Sequence, residues 1–256
     1  MFGVTIPTAT MLGLLFVANT AAQATRPTTA KTIAPALREE IDRLMSDDAG
    51  KRASAAMALS EYEGDVTAAI PYLMAILGDT KQVFGPVLGQ TTVRGVAVYA
   101  LGKIGRPAIA PLIASLNAKA SDLRQGAAWA LGELKVQEAV GPLIEHLSRE
   151  TEGNALGAAA HALSAIGDKR AVPALISALD RPIGPQDDFP WELSESLASF
   201  KDPAAIGPLI ALAERALAAG NYTAHQVLRA AAELAGQNFH GDVKAARAWW
   251  EQNKPK

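Results

Sequence analysis

The side chains of this chain that could do chemistry are few and scattered. It has 256 residues and no cysteine, which excludes disulfides, thiol nucleophiles and thiolate metal sites. The four histidines lie far apart along the chain, at His146, His161, His225 and His240. No two of them have the His-x-x-x-His spacing with which one helix face binds a metal. The sequence therefore predicts histidines in surface or groove positions, no metal site and no cofactor.

Motifs for nucleophilic or phosphate chemistry are also missing from the sequence. It contains no Gly-x-Ser-x-Gly, Gly-x-x-x-x-Gly-Lys-Ser/Thr or Gly-x-Gly-x-x-Gly pattern. Asp187 and Asp188 are adjacent carboxylates on one predicted loop. Adjacent loop positions do not supply the two different environments that a general acid and a general base need. We therefore expect no catalytic residue and a protein that is not an enzyme.

The charge balance restricts the partners. The chain has 24 basic and 26 acidic residues, which gives a net charge of −2. Neither nucleic acid nor an anionic membrane surface is predicted as a partner, because both attract a basic excess. A protein partner fits this composition better.

The N-terminus has the features of a targeting segment. Residues 1–25 contain no charged side chain, and Met11–Ala18 is a short apolar run followed by the small-x-small pattern Ala22–Ala24. Lys and Arg are missing from the start of the segment, where a signal peptide usually has them. We predict a signal peptide at 1–24, a flexible linker at 25–33 and an exported protein, periplasmic or extracellular, with no membrane span after cleavage. An uncleaved anchor and a disordered cytosolic tail are the alternatives.

Two sequence markers recur in phase along the rest of the chain. An Ala-Leu pair, or its Ser-Leu and Ala-Ala variants, returns every 30 to 42 residues at Ala58, Ala100, Ala130, Ala162, Ser196 and Ala230. A proline before an apolar run follows most of them, at Pro71, Pro111, Pro142, Pro173 and Pro208. Such a repeat predicts stacked helical hairpins, since one hairpin cannot bury its apolar face alone.

Turn residues divide each predicted hairpin into a first and a second helix. Glycines that accept a left-handed backbone are expected to end the first helix, at Gly64, Gly105 and Gly167. Aspartates follow that can cap the second helix, at Asp65, Asp168 and Asp202. The recurring prolines are then expected within the first turn of the second helix. A lone helix at Pro35–Met45 and a last helix at Asp242–Gln252 are predicted to close the two ends, with Trp249 and Trp250 covering the final groove.

These segments resemble the HEAT-like repeats that also occur in phycobiliprotein lyases. Val93–Gly105 and Leu123–Gly132 match the first half of that repeat, and Ala171–Leu179 matches the second half. The resemblance implies an all-α fold, an α–α superhelix of about six helical hairpins over residues 34–256. The arginine of the repeat is present at Arg52, Arg94 and Arg124, whereas Leu156, Pro190 and Ala224 replace it. An arginine ladder between the repeats is therefore expected to be incomplete.

Departures from the repeat suggest where a partner binds. Residues 79–92 and 180–191 are longer than the equivalent connections, and both are predicted to be loops on one edge of the solenoid. Exposed aromatic and charged groups are expected there, at Phe84, Arg181, Asp187, Asp188, Phe189 and Trp191. An apolar anchor beside charges is typical of protein interfaces. The alternative is that the aromatic side chains tuck under their own loops.

The leading functional hypothesis is a monomeric, non-catalytic scaffold that binds another protein outside the cytoplasm. A second hypothesis comes from the resemblance to lyases that attach or detach bilins, which act on protein-bound tetrapyrroles inside cells. A third hypothesis is a structural subunit of an envelope complex.

Overall fold

The computed structural model describes residues 33–85 and 89–255, and the predicted signal peptide and nearly all of the predicted linker lie outside them. Pro35–Lys256 forms one compact unit. Its α-helices are α1 Pro35–Leu44, α2 Ala49–Ser60, α3 Ile70–Ala75, α4 Val93–Ile104, α5 Arg106–Ser115, α6 Ser121–Glu133, α7 Val140–Arg149, α8 Gly153–Ile166, α9 Val172–Ala178, α10 Phe189–Ser199, α11 Ile206–Ala218, α12 Ala224–Ala235 and α13 Val243–Asn253. Four second helices begin with a 3₁₀ turn, at Thr67–Ala69, Gln137–Ala139, Lys169–Ala171 and Pro203–Ala205.

The helices from α2 onward form six hairpins stacked in chain order. First helices contact first helices, so that α6 packs on α8, α8 on α10, and α10 on α12. Second helices contact second helices in the same way, as α7 does with α9 and α11 with α13. The predicted all-α solenoid of HEAT-like hairpins is confirmed.

Small side chains at the first helices explain how closely they approach. A Cβ atom added to Gly132 of α6 would lie 2.6 Å from the Cα atom of Ala162 on α8. A Cβ atom on Gly126 would lie 2.5 Å from the carbonyl oxygen of Leu77, at the end of the first hairpin. The leucine that follows each repeat marker is buried in five hairpins, at Leu59, Leu101, Leu131, Leu163 and Leu197. The markers are therefore the packing positions of the core.

The turns inside the hairpins follow the predicted pattern in part. Gly105 and Gly167 end α4 and α8 with φ angles of 73° and 79°. Asp168 and Asp202 cap the 3₁₀ turns by accepting the N–H groups two residues later. Gly64, in contrast, lies beyond the end of α2 at Ser60.

The prolines match their predicted positions with one exception. Pro173 is the second residue of α9, and Pro142 and Pro208 are the third residues of α7 and α11. Pro111 lies inside α5, because that helix begins five residues earlier at Arg106. The prediction for Pro111 is therefore wrong. Its helix has no aspartate cap or 3₁₀ turn and starts directly after Gly105.

The first predicted loop is a β-ribbon. Residues Gln82–Gly85 (β1) pair with Gly89–Thr92 (β2) in antiparallel register, with Val83 opposite Thr91. Val83 is buried, and Phe84 on the opposite face is 83% exposed. Side chains alternate between the two faces of a strand, which explains the difference between these neighbours.

The two ends are covered as predicted. Leu37, Ile41 and Leu44 of α1 are buried, so α1 covers the first hairpin. At the other end, Asp242 caps α13, and the Trp250 ring lies where a Cβ atom of Gly207 would be. The Trp249 ring lies 5.7 Å from that of Phe239.

Arginines bind the C-terminal ends of second helices, even where the repeat pattern lacks an arginine. Arg52 binds Asp79, the Nε atom of Arg94 donates to Leu77 O at 2.6 Å, and Arg124 binds Glu150. Where the arginine is missing, Arg181 donates to the carbonyl oxygen of Leu147 at 2.7 Å. Arg215 donates to Leu179 O in the same manner. Arginines from other elements thus fill the gaps at Leu156 and Pro190 and place positive charge at the C-terminal carbonyl groups of second helices. For the third gap, at Ala224, the described residues show no such arginine.

Candidate functional site

The stacked hairpins present two edges with different connections. We call the edge with the turns from first to second helix the turn edge; its turns lie at 61–69, 105, 134–139, 167–171, 200–205 and 236–242. The other edge, the loop edge, carries the connections to the next hairpin at 76–92, 116–120, 150–152, 179–188 and 219–223. Adjoining turns are in contact, as Gln137 Nε2 with Ile166 O at 3.5 Å shows. Adjoining loops are in contact as well, as Asn221 Nδ2 with Asp187 O at 3.0 Å shows.

A cavity of about 210 Å³ opens on the loop edge, between the starts of three first helices. Ser121, Asp122 and Gln125 of α6 line it, together with Asn154 of α8 and Phe189 of α10. Carboxylates dominate its polar lining, at Asp122, Glu152, Asp187 and Asp188. We call these four residues the acidic cluster.

The acidic cluster lies at helix N-termini, where the helix dipole favours negative charge. Glu152 and Asp188 occupy the cap positions of α8 and α10, but neither side chain makes a capping hydrogen bond. Asp187 Oδ2 accepts the N–H of Gly184 at 2.5 Å, which holds the loop in place. Within residues 33–85 and 89–255, no member of the cluster has a cationic group within 4.0 Å.

A further carboxyl group lies between α8 and α10. The side chain of Glu192 rests on Gly157, because its Oε2 atom lies 1.5 Å from where a Cβ atom of residue 157 would be. This Oε2 atom is buried and has no hydrogen-bond partner. Burial, and secondly the neighbouring charge of Asp188, raise the pKa of Glu192 to about 7.

A buried charged group holds the loop between α7 and α8. Burial raises the pKa of Glu150, but hydrogen bonds from Arg124 and from the N–H groups of Glu152 and Thr151 outweigh it and lower the pKa to about 2. Arg124 Nε donates to Glu150 Oε2 at 2.7 Å. His146 Nε2 lies 3.3 Å from the same oxygen, in a geometry that is not a hydrogen bond. Burial lowers the pKa of His146, which is 3% exposed, so the prediction of a surface or groove position is wrong.

A second cavity of about 210 Å³ opens on the turn edge, between the first and second hairpins. Its lining is apolar at Leu59, Val66, Ile104 and Pro107. Its polar side chains are those of Ser60, Tyr62, Asp65, Thr67 and Lys103. Lys103 Nζ lies 5.3 Å from the ring centroid of Tyr99, which is within cation–π range. We call this cavity the turn cavity.

Exposed cations continue from the turn cavity along the turn edge. The side chain of Arg106 is 91% exposed and approaches Glu138 of the next turn only to 4.0 Å. Lys135, Lys169 and Arg170 are exposed on the two turns after it, and Arg170 is paired with Asp168 at 2.6 Å. Lys135 and Lys201 have φ angles of 49° and 52°, where the aligned turns have Gly105 and Gly167.

The six residues predicted to bind a partner fall into three groups. Asp187, Asp188 and Phe189 line the loop-edge cavity, and Trp191 follows them with 42% exposure. Phe84 is exposed but belongs to the separate β-ribbon. The expected exposure of Phe189 is wrong, since it is 6% exposed. Arg181 donates to backbone carbonyl oxygens of the preceding hairpin. A role of these residues in binding stays a prediction.

Some residues of the loop edge were not found from the sequence. Asp122, Glu152 and Asn154 come to this cavity from other hairpins, which local patterns do not show. Glu192 did leave a signal, because the aligned positions of the other hairpins are Ser54, Val96, Gly126, Ala158 and Gln226. A charged residue at a packing position of small and neutral residues marks an exception.

The part of the chain that the structure describes lacks both metal-binding clusters and membrane-spanning helices. It contains no group of three or more His, Asp or Glu residues arranged to bind a metal ion. No described helix has the length and apolar composition that crossing a bilayer requires.

Comparisons with known proteins match part of the repeated region to two families of HEAT-like repeats. The family of HEAT repeats matches residues 109–188, and the PBS lyase HEAT-like repeat matches residues 93–118. Phycocyanobilin lyase subunit alpha of Nostoc sp. (strain PCC 7120) is 37% identical over 123 residues, which cover 44% of this chain and 43% of that protein. The subunit of the same name from Microchaete diplosiphon is 43% identical over 76 residues, 27% of this chain and 26% of that protein. The alignments thus span less than half of these relatives.

Two solved structures resemble this chain at lower sequence identity than the curated relatives do. The complex of CpcE and CpcF of phycocyanin lyase from Nostoc sp. PCC7120 has 25% identity and a TM-score of 0.42, over 75% of this chain and 74% of the other. An engineered protein has 17% identity and a TM-score of 0.44, over 84% of this chain and 98% of its own.

The curated relatives correct two predictions. The prediction that the chain is not an enzyme is wrong, because those relatives are named as lyase subunits. The prediction of an exported protein, periplasmic or extracellular, is contradicted as well. The resemblance to bilin lyases implied action inside cells, and the curated relatives are lyase subunits of that kind.

Proposed function

We propose that this chain, a HEAT-like repeat protein of the PBS lyase type, binds a bilin and takes part in joining it to a protein or releasing it. The observation that carries this proposal is the identity with the phycocyanobilin lyase subunits. The proposal covers only the helical repeats described above, because the alignment spans less than half of those relatives.

The absence of cysteine defines how this chain would hold a bilin. Without a thiol, it cannot carry the tetrapyrrole through a thioether bond. Any thioether is therefore made or broken on another protein, and this chain would bind the bilin non-covalently. Its contribution to a lyase reaction would be to hold and orient the reacting groups.

The turn cavity fits one end of a linear tetrapyrrole. A bilin consists of flat, largely apolar conjugated rings, and ligand sites of that kind are mostly apolar with a few polar groups. Leu59, Val66, Ile104 and Pro107 supply the apolar wall. Tyr62 supplies an aromatic ring in the same wall, beside which a conjugated ring can stack.

The cations of the turn edge fit the two propionate groups of a bilin. Lys103 lines the cavity, and Arg106 begins the next helix beside it with its side chain in solvent. An arginine pairs with a carboxylate through two parallel hydrogen bonds, whereas a lysine acts as a point charge. The loop-edge cavity is lined by four carboxylates, which would repel propionates, whereas the turn cavity has one carboxylate, Asp65, together with Lys103. The turn cavity is therefore the better location for this ligand.

The direct test is titration of the full chain with phycocyanobilin, followed by absorption and fluorescence. Binding in the turn cavity is expected to shift the absorption band and raise the fluorescence. In the Lys103→Gln, Arg106→Gln double variant, we expect Kd to rise about tenfold or more, because charge-assisted hydrogen bonds contribute about 1.5–3 kcal/mol each.

A matched control separates this site from general charge effects. Lys119→Gln removes an exposed lysine from the loop edge and is expected to leave Kd unchanged. If phycocyanobilin shows no spectral change with the full chain, the proposed binding is wrong. Equal affinity of the double variant and the wild type would place the bilin elsewhere.

A second measurement tests participation in the reaction itself. The full chain is mixed with phycocyanobilin and a cysteine-containing phycocyanin subunit, with and without a second lyase subunit. Colour that stays with the phycocyanin subunit after denaturation reports the covalent bond. Faster appearance or loss of this colour in the presence of the chain is expected; an unchanged rate under both conditions would contradict a lyase-related role.

A further inference from the structure

A carboxyl group lies inside the joint between the fourth and fifth hairpins. Glu192, on the first turn of α10, faces α8 at Gly157. A Cβ atom on residue 157 would lie 1.5 Å from Glu192 Oε2 and 2.3 Å from its Cδ atom. The carboxyl group therefore occupies the space that a larger side chain at position 157 would fill. It is part of the packing between two first helices that contact each other directly.

This position is unfavourable for a charge. The Glu192 Oε2 atom is buried and has no hydrogen-bond partner among the described residues. Leu156 and Ala158, the neighbours of Gly157 on α8, are buried and apolar. A carboxylate placed there loses hydration that no hydrogen bond replaces, whereas the protonated form loses much less. The closed joint therefore favours the protonated carboxyl group.

The ionisable groups nearest to Glu192 along the chain and on α8 do not offset this preference. Asp188 lies one turn earlier, at the start of α10, and adds negative charge. Asp187 and Glu152, which line the loop-edge cavity, are acids as well. On α8, the ionisable side chain is His161, which is exposed on a later turn. The charge of Asp188 thus acts in the same direction as burial.

The helices on the other side of α10 have their arginines engaged elsewhere. Arg229 of α12 donates to Glu195, on a later turn of α10, at 3.1 Å. Arg215 of α11 donates to the carbonyl oxygen of Leu179. The remaining ionisable side chains of α11 and α12 are Glu214, His225 and Glu233. Burial, and secondly Asp188, therefore raise the pKa of Glu192 to about 7, so that its charge changes near neutral pH.

Water is close to this joint. Asn154 of α8 and Phe189 of α10 lie three positions before Gly157 and Glu192, and both line the loop-edge cavity. Three positions are about one helical turn, so the cavity begins next to the carboxyl group. An ionised Glu192 gains hydration when the first turns of α8 and α10 separate and water enters from the cavity.

We propose that Glu192 is a proton-linked switch at the joint between the fourth and fifth hairpins. Protonated, its carboxyl group stays packed on Gly157 and the joint is closed. Ionised, it draws water into the interface and separates the first turns of α8 and α10. Each hairpin contacts only its neighbours, so a change at one joint alters how the two parts of the stack are placed. This inference goes beyond the bilin chemistry proposed for the turn edge and does not depend on it.

The test follows the joint by NMR of the full chain between pH 5 and pH 9. The Trp191 indole is the reporter, because Trp191 precedes Glu192 on α10 and is 42% exposed. We expect this indole signal and the amide signals of both first turns to titrate together, with a midpoint near pH 7. Above the midpoint, amide hydrogen exchange in these turns, corrected for its intrinsic pH dependence, should be at least about threefold faster.

Three variants assign the titration. Glu192→Gln keeps the size of the side chain but cannot ionise, so the reporter signals should stay constant across this pH range. Asp188→Asn keeps Glu192 and removes the neighbouring charge, which should lower the midpoint by about half a pH unit. Glu195→Gln is the matched control, because Glu195 pairs with Arg229 on a later turn, and should leave the midpoint unchanged. Far-UV circular dichroism checks that each variant is folded, and the shift in Asp188→Asn decides the assignment if Glu192→Gln is unfolded.

Three results would overturn the inference. Reporter signals of the wild type that stay constant from pH 5 to pH 9 would mean that the joint does not respond to protons. A titration that persists unchanged in Glu192→Gln would assign it to another group, such as His161. A titration of Glu192 without faster amide exchange in α8 and α10 would mean that the carboxyl group ionises while the joint stays closed.

Discussion

The turn edge and the loop edge are built from the same helices and differ in charge and construction. Each turn contains at least one residue with a positive φ angle, and Asp168, Asp202 and Asp242 cap the helical turns that follow in three hairpins. The loops vary from three residues between α7 and α8 to a β-ribbon between α3 and α4. The turns present cations beside carboxylates, as Arg106 with Glu138 and Arg170 with Asp168 show, whereas four carboxylates line the cavity between the loops. One repeat can thus offer two surfaces with different arrangements of charge.

This difference has a physical origin. The connections of the turn edge stay within nine residues, from Gly105 alone to 61–69, because the two helices of one hairpin must pack side by side. The loop edge tolerates insertions, because closing a longer loop costs little free energy. The loop edge therefore needs additional contacts to hold its connections, and buried arginines provide them.

The largest expected effect breaks one of those contacts. Arg124→Met removes the partner of Glu150 and leaves its carboxylate buried without a counter-charge. We expect the free energy of unfolding to fall by about 3–5 kcal/mol at pH 7, measured by urea denaturation. The exposed Arg149→Met is the control and should cost less than about 0.5 kcal/mol.

The same pair predicts a pH dependence. The pKa of Glu150 is about 2 in the folded chain, well below the ordinary glutamate value of 4.5, so the folded state favours the ionised carboxylate. Its stabilisation is present above the unfolded pKa and is lost as pH falls from about 4.5 towards 2. Arg124→Met should weaken this acid dependence. An unchanged slope would show that Glu150 is not held in this way.

A second substitution tests the stack that both edges share. Gly132→Val places a side chain against the backbone of Ala162, where no flexible group can move aside. We expect a loss of about 1–3 kcal/mol in the free energy of unfolding. Gly141→Ala is the matched change on a second helix, with no atom within 4 Å of the added Cβ, and should be neutral or stabilising. Equal effects would contradict the close packing of α6 on α8.

A third substitution sharpens the electrostatic description of the loop edge. The pKa of Glu192 is raised to about 7, so its stabilising protonated form is lost as pH rises from the ordinary value through about 7. The variant Glu192→Gln is compared with the wild type at the same pH. Relative to the wild type, its free energy of unfolding should be about 1–2 kcal/mol higher at pH 8 than at pH 5. Urea midpoints at the two pH values measure this. Glu195→Gln, on the exposed side of α10, should show no such difference.

The smallest expected effect concerns the turn edge. Lys135→Gly removes the strain of a left-handed lysine with a φ angle of 49°. Glycine is the preferred residue at this position after a helix. We therefore expect the free energy of unfolding to rise by up to about 1 kcal/mol, measured by thermal or urea denaturation. Lys103→Gly, inside α4, should instead cost about 1 kcal/mol. A loss in Lys135→Gly would show that the lysine side chain stabilises its turn.

Much of the fold could be predicted from the sequence, because its signals are local and periodic. The Ala-Leu markers predict the buried faces of the first helices, and Asp168 and Asp202 predict caps two residues away. The β-ribbon was not predicted, since Gln82–Thr92 has weak alternation and its pairing depends on packing of Val83. The position of Pro111 was also missed, because α5 starts without the usual cap.

The candidate sites depended much more on tertiary structure. Asp187, Asp188 and Trp191 were found from the sequence as an insertion with aromatic and charged residues. Their relation to Asp122 and Glu152 required the stacking of three hairpins, which brings residues some 30 positions apart to one cavity. The turn cavity likewise joins Tyr62 to Lys103 across two hairpins.

The sequence by itself determined the repeat, its helices and most of their caps, since these depend on neighbours a few residues away. Only the tertiary structure decided which charges are neutralised and which are not. Arg181 and Phe189 both come from the second insertion, yet one is engaged by the preceding hairpin and the other is buried. Burial and ion pairing depend on side chains from other hairpins, and no local pattern of residues contains that information.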